Sequence, residues 1–357
     1  MITMKPLEQL LRPNILTLEP YSSARDEYTG EAAVFLDANE NPFNHPYNRY
    51  PDPNQRMLKA KLAQMKDVEV DQIFLGNGSD EAIDLVFRAF CVPGHDNVVS
   101  IDPTYGMYQV AADINNVELR KVLLTDVFEL DVEALLAMCD ERTKLLFICS
   151  PNNPTGNRFR EKDVLALMKR FEGIVVLDEA YIDFAPEKSW LNRLKQYPNL
   201  VILQTLSKAW GMAGIRLGMA FASKEIVDVL SRIKYPYNIN SLTQDKALEI
   251  LDNVSEKTVW IEQILSERAR MEIALAKCSF VRIVFPSDAN YLLVKVDDAD
   301  AVYNFLLDRQ IVIRNRSSVA LCHQCLRITI GQTVENNLLL EALTMFQNMM
   351  LLNCQNK

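Results

Sequence analysis

Three apolar runs in the middle of the chain predict buried strands of a parallel β-sheet. They are KLLFIC (144–149), GIVVL (173–177) and VILQT (201–205). Each run is followed by polar or turn-forming residues, and the intervening segments are long enough for a crossover helix. Because parallel strands end at one edge of their sheet, we expect Asn153, Asp178 and Lys208 to lie along that edge, where open α/β sheets bind ligands.

Two upstream segments extend this pattern. Residues 73–90 combine a short strand, a Gly-Asn-Gly turn and an amphipathic helix that begins with Ser79, Asp80 and Glu81. Backbone amides at such a helix start bind phosphate well, although a capped helix with acidic first-turn residues has the same sequence features. Residues 98–108 predict a further strand that ends in a turn near the same edge.

The C-terminal third has a different pattern. Residues 241–277 predict long amphipathic helices, after which short strand-like runs alternate with helical segments. We therefore expect an α/β protein with an N-terminal arm (1–30), a large domain with a mostly parallel sheet (31–245) and a smaller α/β domain (246–357). The methionine-rich tail, 344–353, predicts a helix whose apolar stripe faces the core.

Composition narrows the classes of function. With 357 residues, 49% of them hydrophobic, the chain can bury a large core. A net charge of −9 leaves no basic stripe for nucleic acid, no apolar run is long enough to span a membrane, and the first residues lack the features of a signal peptide. Seven scattered cysteines indicate a reducing compartment, so we expect a cytoplasmic protein. Cys322 and Cys325 are close in sequence, but no histidine cluster accompanies them, so we expect no metal site.

Candidate chemistry comes first from residues 201–218. Lys208 follows Ser207 directly and precedes Arg216 by eight residues. A lysine at the end of a buried strand can form a Schiff base with an aldehyde such as pyridoxal phosphate, and a hydroxyl and a guanidinium can hold the phosphate group. The serine-lysine pair is weak evidence alone, because a lysine near a strand end is usually just solvated.

Residues at the neighbouring strand ends can interact with the nitrogen, the phenolic oxygen and the face of the cofactor's pyridine ring. A carboxylate at Asp178 favours a protonated ring nitrogen, which makes the ring a better electron acceptor. Asn153 and Tyr181 can both hydrogen-bond a phenolate oxygen, and Tyr105 can stack on the ring. Singly, Asp178 is equally well explained as a helix N-cap and either tyrosine as a packed core residue, but their joint occurrence favours a cofactor site.

These segments together resemble the fold-type I, class-II pyridoxal-phosphate-dependent aminotransferases, and among them the histidinol-phosphate aminotransferases. The resemblance covers nearly the whole chain. It rests on LEPYSSAR (18–25), LDANENPF (36–43), NRYPDP (48–53), GNGSDE (76–81), SPNNPTG (150–156), VVLDEAY (175–181), SKAWGMAGIRLG (207–218) and LRITIG (326–331). It implies a large domain with a mostly parallel central sheet, a smaller C-terminal α/β domain, an N-terminal arm and pyridoxal 5'-phosphate as the cofactor.

The resemblance implies a role for each matching residue. Lys208 would carry the cofactor covalently and shuttle the proton, and Asp178 would face the pyridine nitrogen. Asn153 and Tyr181 would face the phenolic oxygen, and Tyr105 would stack on the ring. The residues at or beside the cofactor phosphate would be Ser79, Asp80, Glu81, Ser207 and Arg216.

The resemblance also narrows the substrate. Arg327 corresponds to an arginine that binds the α-carboxylate of glutamate. Arg314, thirteen residues earlier, corresponds to one that serves the distal phosphate or carboxylate, since a guanidinium fork binds both anions. Arg316 is a rival to Arg314. Tyr21 and Asn39 match further substrate-binding positions.

The implied reaction exchanges an amino group between histidinol phosphate and 2-oxoglutarate, with glutamate as the other amino acid, in histidine biosynthesis. Tyr50 corresponds to a tyrosine that reaches the cofactor phosphate of the partner subunit, so a homodimer is implied. Two alternatives share nearly all these motifs and stay open at this point. They are an aromatic amino acid aminotransferase and a pyridoxal-phosphate-dependent decarboxylase of a phosphorylated amino acid.

Overall fold

The computed structural model describes residues 5–21 and 34–355, which form two β-sheets with helices around them. The first sheet contains β1 (Ile73–Asn77), β2 (Asn97–Asp102), β3 (Glu118–Leu123), β4 (Thr143–Cys149), β5 (Ile174–Asp178), β6 (Leu200–Thr205) and β7 (Leu217–Phe221). The second contains β8 (Val281–Val284), β9 (Tyr291–Val296), β10 (Arg314–Asn315) and β11 (Cys325–Thr329). This architecture confirms the predicted α/β class.

Helices precede, connect and follow these strands. They are α1 (Leu7–Leu10), α2 (Pro13–Leu16), α3 (Arg56–Lys66), α4 (Ser79–Phe90), α5 (Met107–Ile114), α6 (Val132–Met138), α7 (Glu161–Arg170), α8 (Lys224–Ile233), α9 (Ser241–Leu251), α10 (Val254–Leu275), α11 (Ala299–Leu307) and α12 (Thr333–Gln355). Short 3-10 turns lie at Val70–Gln72, Ile182–Phe184, Trp190–Gln196 and Ala213–Ile215.

The seven-stranded sheet has the order β1-β7-β6-β5-β4-β2-β3. Its strands β2 to β6 pair in parallel, whereas β7 is antiparallel to both of its neighbours, β1 and β6. The three strands predicted from the apolar runs are β4, β5 and β6, and they lie side by side. Their carboxyl ends therefore meet at one edge, as the sequence predicted.

The central strands are apolar without interruption because the sheet is covered on both faces. Side chains of β5 alternate between two cores: Ile174 and Val176 pack into one, and Val175 and Leu177 into the other. Asp178 is the last residue of this strand and is itself 2% exposed. The strand thus delivers a carboxylate from between two apolar layers to the edge of the sheet.

The four-stranded sheet is antiparallel and has the order β10-β11-β9-β8. It shares a core with α10, α11 and α12, in which Leu292 and Phe346 are buried. β10 pairs with β11 so that Arg314 lies directly opposite Arg327. Residues opposite each other on antiparallel strands project to the same face, so both guanidinium groups leave the sheet on one side.

The packing predicted for the methionine-rich tail is wrong in part. The tail is helical, as the end of α12, and Phe346 and Met350 contact the core of the small sheet. Met345, Met349 and Leu351 are exposed, however. The apolar stripe of the sequence is wider than the face that the helix buries.

Candidate active site

A pocket opens at the edge of the large sheet, where β1, β4, β5 and β6 end and β7 begins. Its walls contain most of the residues expected around a cofactor: Ser79, Asp80, Tyr105, Asn153, Asp178, Tyr181, Ser207, Lys208 and Arg216. The rest of the lining is Gly78, Cys149, Ala180 and Thr205. The strand order thus brings together side chains from distant segments of the chain.

Asp178 is the buried carboxylate of this pocket. Its Oδ2 accepts a hydrogen bond from the Tyr108 hydroxyl at 2.8 Å, and its Oδ1 accepts one from the Ala180 backbone amide at 3.0 Å. Burial raises the pKa of Asp178, and the two hydrogen bonds oppose this rise because they stabilise the carboxylate. A buried carboxylate held in this way is suited to a cationic partner such as a pyridinium nitrogen.

Lys208 lies in the turn after β6, with its side chain accessible from the pocket. Its Nζ is 5.5 Å from the centroid of the Tyr181 ring. Partial burial lowers the pKa of Lys208, the positive charge of Arg327 lowers it further, and the carboxylates of Asp178 and Asp80 oppose the change. A lowered pKa leaves more of the amine neutral, which is the form that attacks an aldehyde.

The start of α4 forms a cradle for an anion. Gly78 precedes the helix with φ +72° and, as a glycine, has no side chain that could cap the first backbone amides. Gly218 lies so close that a Cβ there would fall 2.1 Å from the Ser79 nitrogen. The guanidinium of Arg216 lies 3.5 Å from Asp80, and a Cβ at Gly78 would come within 2.7 Å of it. Two glycines therefore allow β7 and the arginine to approach the helix start.

Glu81 does not line this pocket. Its carboxylate accepts hydrogen bonds from the Asn77 backbone amide at 2.5 Å and from the side-chain amides of Asn77 and Asn238 at 3.0 and 3.1 Å. The structure therefore does not bring the Glu81 carboxylate together with the other residues expected around the cofactor. This first-turn carboxylate joins the end of β1 to the segment around residue 238.

Tyr105 connects the helix start to the pocket wall. Its hydroxyl donates to Asp80 Oδ1 at 3.1 Å, and its ring meets the ring of Tyr108 edge-on at a centroid distance of 5.7 Å. Burial raises the pKa of Tyr105, and the charge of Asp80 raises it further, so the phenol is protonated at neutral pH. The ring is thereby held at the pocket wall where a planar ligand can stack on it.

A larger cavity beside this pocket contains the arginines. Its lining includes Tyr105, Asn153, Tyr181, Lys208, Arg314, Arg316 and Arg327. Arg327 Nη1 donates to Asn153 Oδ1 at 2.5 Å, whereas the Nε groups of Arg327 and Arg316 are buried with no hydrogen-bond partner in the described part of the chain. Burial lowers the pKa of Arg316, and the charges of Arg327 and Arg314 lower it further. Buried N–H donors without partners are costly, so this cluster is suited to an anion.

Three predicted residues lie outside both cavities. Asn39 and Tyr50 line a separate surface depression, in which the Tyr50 ring stacks on that of Tyr237 at 4.4 Å. Tyr21, among the described residues of the arm, is 72% exposed. The fold of one chain does not bring these three side chains to Lys208.

Tyr108 and Cys149 are site residues that sequence reasoning missed. Tyr108 is bonded to Asp178, and Cys149 is a buried thiol of the pocket wall whose pKa is raised by burial. Tyr108 follows Tyr105 by three residues, and its backbone amide donates to the Tyr105 carbonyl oxygen at 3.3 Å where α5 begins. That spacing was the available signal, but it is equally typical of two packed core tyrosines.

Comparisons with known proteins agree with this geometry. A family model described as "Aminotransferase class I and II" matches residues 27–343. The chain belongs to the class I and II aminotransferases. Among them, the histidinol-phosphate aminotransferase of Parabacteroides distasonis is 60% identical over 340 residues, which are 95% of this chain and 99% of that protein.

Solved structures give the same result for this aminotransferase. The crystal structure of histidinol-phosphate aminotransferase from Clostridium acetobutylicum has a TM-score of 0.78 and 27% identity, and covers 85% of this chain and 91% of its own. That of the enzyme from Sinorhizobium meliloti in complex with pyridoxal-5'-phosphate also has a TM-score of 0.78, with 25% identity, covering 85% and 84% of the two chains. The fold is therefore that of the fold-type I pyridoxal-phosphate enzymes, as predicted.

The residues of this aminotransferase fit pyridoxal 5'-phosphate. Close backbone approach at Gly78 and Gly218 leaves an anion site at helix amides that Gly78 has no side chain to cap, with Arg216 beside it. Asp178 is a buried carboxylate available to a cationic ring nitrogen, and Lys208 is an accessible amine of lowered pKa. The pocket thus has separate groups for each part of that cofactor: the helix amides and Arg216 for the phosphate, Asp178 for the ring nitrogen and Lys208 for the aldehyde.

Other kinds of site have no support in the described ranges. No helix within residues 5–21 and 34–355 is long and apolar enough to cross a membrane. The same residues contain no group of three or more His, Cys, Asp or Glu side chains arranged to hold a metal ion. Cys322 and Cys325 are buried free thiols, and burial raises their pKa values to about 12 and about 11.

Proposed function

We propose that this chain is a pyridoxal-phosphate-dependent histidinol-phosphate aminotransferase, which exchanges the amino group between L-histidinol phosphate and 2-oxoglutarate in L-histidine biosynthesis. The observation that carries the proposal is the shared lining of two adjoining cavities. A buried Asp178 and an accessible Lys208 line one, and three arginines line the other together with Lys208. The name of the 60% identical relative supports the same reaction.

The chain's own groups divide the work around the cofactor. When bound, pyridoxal 5'-phosphate supplies an aldehyde for amines and a ring that accepts electrons from the substrate α-carbon. Asp178 would hold a proton at the ring nitrogen, because a buried carboxylate favours a cation there. Lys208 Nζ would take the proton from the substrate α-carbon and deliver it, in the same half of the exchange, to the carbon that carried the cofactor's aldehyde. In the second half it would move a proton in the opposite direction. Asn153 and Tyr181 would orient the phenolic oxygen by hydrogen bonds.

The arginine cavity accounts for the pairing of two different substrates. Arg327 binds the α-carboxylate of glutamate, and Arg314, with Arg316 beside it, receives the distal anion. That anion is a carboxylate in glutamate and a phosphate in histidinol phosphate, and a guanidinium fork binds either one. The chain has a net charge of −9, which repels anionic substrates. The three arginines oppose this repulsion because they concentrate positive charge where the anion must enter.

A homodimer completes the proposed site. Asn39 and Tyr50 are away from Lys208 of their own chain and are thus available to a partner subunit's pocket. Leu36, Phe43 and Tyr47 in the same region are 91%, 74% and 64% exposed. Neighbouring apolar side chains at such exposure are typical of an interface. We further propose a cytoplasmic location, since unpaired cysteines suit a reducing compartment.

A panel of amino acceptors tests the proposed reaction. The protein is loaded with pyridoxamine phosphate, and candidate oxo compounds are compared by the rate at which each restores the absorbance of the aldehyde form. We expect imidazole acetol phosphate and 2-oxoglutarate to react at least tenfold faster than phenylpyruvate. Phenylpyruvate as the fastest acceptor would establish an aromatic aminotransferase instead, and release of carbon dioxide from a phosphorylated amino acid would establish a decarboxylase.

A further inference from the structure

Tyr108 is held on three sides next to the cofactor pocket. It is 1% exposed, and its hydroxyl donates to Asp178 Oδ2 at 2.8 Å. Its ring stacks on Phe147 of β4 at a centroid distance of 4.7 Å and meets Tyr105 edge-on at 5.7 Å. These contacts fix the hydroxyl relative to both the sheet and the pocket wall, so the ring has little freedom to turn its hydroxyl elsewhere.

The direction of this hydrogen bond follows from the environment of the phenol. Burial raises the pKa of Tyr108 well above its usual range, and the charge of Asp178 raises it further. The hydroxyl therefore keeps its proton and donates a hydrogen bond to the carboxylate. Other titratable groups near Asp178 on the surrounding elements are Cys149, Lys208, Asp80, Tyr181, Tyr105 and Tyr291.

Asp178 has few means of staying ionised in its buried position. Burial raises its pKa, and the effects that oppose the rise are led by the hydrogen bond from Tyr108, followed by that from the Ala180 amide. The amide is a backbone group that any sequence would provide. Within the described residues, Tyr108 gives the hydrogen bond that Oδ2 accepts. Loss of that hydroxyl would thus favour a protonated Asp178, which no longer stabilises a cation.

We propose that Tyr108 is a positioning residue, which keeps the Asp178 carboxylate ionised and turned toward the ring nitrogen of the bound cofactor. This inference rests on the proposed function, since it assumes that pyridoxal 5'-phosphate occupies the pocket. Tyr108 touches Asp178 and the Tyr105 ring together. It therefore couples the group expected at the ring nitrogen with the group expected at the ring face.

The test compares Tyr108→Phe, which keeps the ring and removes the hydroxyl, with Tyr197→Phe, which does the same to a buried tyrosine outside both cavities. A less positive ring makes the nitrogen joined to Lys208 more basic. We therefore expect the pH midpoint of the holoenzyme's absorbance change to rise by about half a unit to one unit in Tyr108→Phe only. We also expect kcat to fall on the order of tenfold, with a smaller change in KM.

A second background shows whether Tyr108 acts through Asp178. In Asp178→Asn the carboxylate is absent, so adding Tyr108→Phe is expected to leave the midpoint unchanged. A further shift of the same size in that background would overturn the proposal, as would an unchanged midpoint in the single variant. If the parent protein neither binds pyridoxal phosphate nor transfers an amino group, the proposed function fails first, and the two failures are thereby distinguished.

A measurement that tolerates weak folding completes the design. The full chain is freed of cofactor, and its Kd is measured for pyridoxal phosphate and for the analogue that has carbon in place of the ring nitrogen. Both Kd values share any general loss of stability, so their ratio reports on the ring nitrogen alone. We expect Tyr108→Phe to reduce the parent's preference for pyridoxal phosphate severalfold, and an unchanged preference would refute the positioning role.

Discussion

Lys208 and Arg327 influence each other through their charges. Arg327 is the strongest electrostatic influence that lowers the pKa of Lys208, after the effect of burial. An anionic substrate that binds Arg327 would cancel much of that positive charge. The pKa of Lys208 would then rise when the substrate arrives, and the amine would become a stronger base at the step in which it takes a proton.

Replacing Arg327 tests this coupling without measuring turnover. The amine captures pyridoxal phosphate only when neutral, so a lower pKa extends capture to lower pH. In Arg327→Gln the cation is gone, the pKa of Lys208 rises, and we expect the midpoint of the pH profile for cofactor capture to move up by about half a unit to one unit. Arg282→Gln, at a surface arginine paired with Asp297, serves as control. A downward or absent shift in Arg327→Gln would contradict the coupling.

The arginine cluster allows a specificity prediction. Loss of a charge-assisted hydrogen bond in a partly closed site typically costs about 2 to 5 kcal/mol, so we expect Arg314→Ala to lower kcat/KM for histidinol phosphate roughly thirtyfold or more. Phenylalanine, which has no distal anion, is expected to be nearly unaffected. The same kcat/KM assay on Arg316→Ala tests the alternative arginine for the distal anion. Its Nε is buried without a hydrogen-bond partner in the described structure. A larger loss in Arg316→Ala would move the distal anion site there.

The residues that the sequence predicted best lie where a strand ends. Asn153, Asp178 and Lys208 follow apolar runs, and the rules for parallel sheets bring such positions together without knowledge of side-chain packing. Tyr108 was not predictable in this way. Its partner Asp178 is 70 positions away, and their contact depends on how α5 sits against β4 and β5. Glu81 bonds to Asn77 and Asn238 instead of lining the pocket, and the sequence did not indicate this because a carboxylate in a first helical turn can serve either a ligand or the neighbouring loop.

At the scale of elements, the contact between β7 and α4 shapes the phosphate cradle. A Cβ at Gly218 would lie 2.1 Å from the Ser79 nitrogen and 2.2 Å from the Gly78 carbonyl carbon, and backbone atoms cannot turn aside as side chains do. The helix start would have to move away from the strand. The amides proposed to face the anion would move with it, so we expect affinity for the cofactor to depend on Gly218 although it does not line the pocket.

Gly218→Ala is therefore expected to weaken the protein in two measurable ways. Overpacking lowers stability by about 1 to 3 kcal/mol, and the Kd for pyridoxal phosphate rises tenfold or more because the helix amides are displaced. Thermal melting and cofactor titration measure the two effects. Gly214→Ala is the matched control, since a Cβ at Gly214 meets nothing within 4 Å. If Gly218→Ala melted at a lower temperature yet bound the cofactor with normal affinity, the contact between β7 and α4 would not control the anion site.

Element directions were less predictable than element positions. The strand at 217–221 carries no sequence sign that it runs against its neighbours, because its residues are buried and apolar in either direction. β10 has only two residues, although the apolar run before it is longer, because the pairing with β11 begins at Arg314. In both cases the pairing with neighbouring strands determines the direction or the length of the strand, which the local sequence pattern does not specify.

At the scale of the whole molecule, the region around Tyr50 predicts shared sites. A chain carrying Lys208→Ala lacks the active-site lysine but still has a normal Tyr50, which would reach the site of its partner. A chain carrying Tyr50→Ala keeps Lys208. In a heterodimer of the two, one site therefore has Lys208 together with the partner subunit's Tyr50, and the other site has neither.

Mixing these two chains is expected to restore activity above the level of either homodimer. Turnover of histidinol phosphate is measured after the chains have been denatured and refolded together, with each chain refolded alone as the control. If Tyr50 acted within its own chain, the site that keeps Lys208 would still lack the hydroxyl, and mixing would restore nothing. That outcome would reject the shared site.

The reversed direction of β7 has a consequence for how this chemistry can be inherited. A strand of five residues is about 17 Å long, so a parallel β7 would begin at the far edge of the sheet and would need a long crossover to get there. Because β7 turns back, Lys208 and Arg216 meet at one edge with a connection of only seven residues between them. The residues proposed as covalent anchor and phosphate ligand are thus encoded in a single short stretch of the gene.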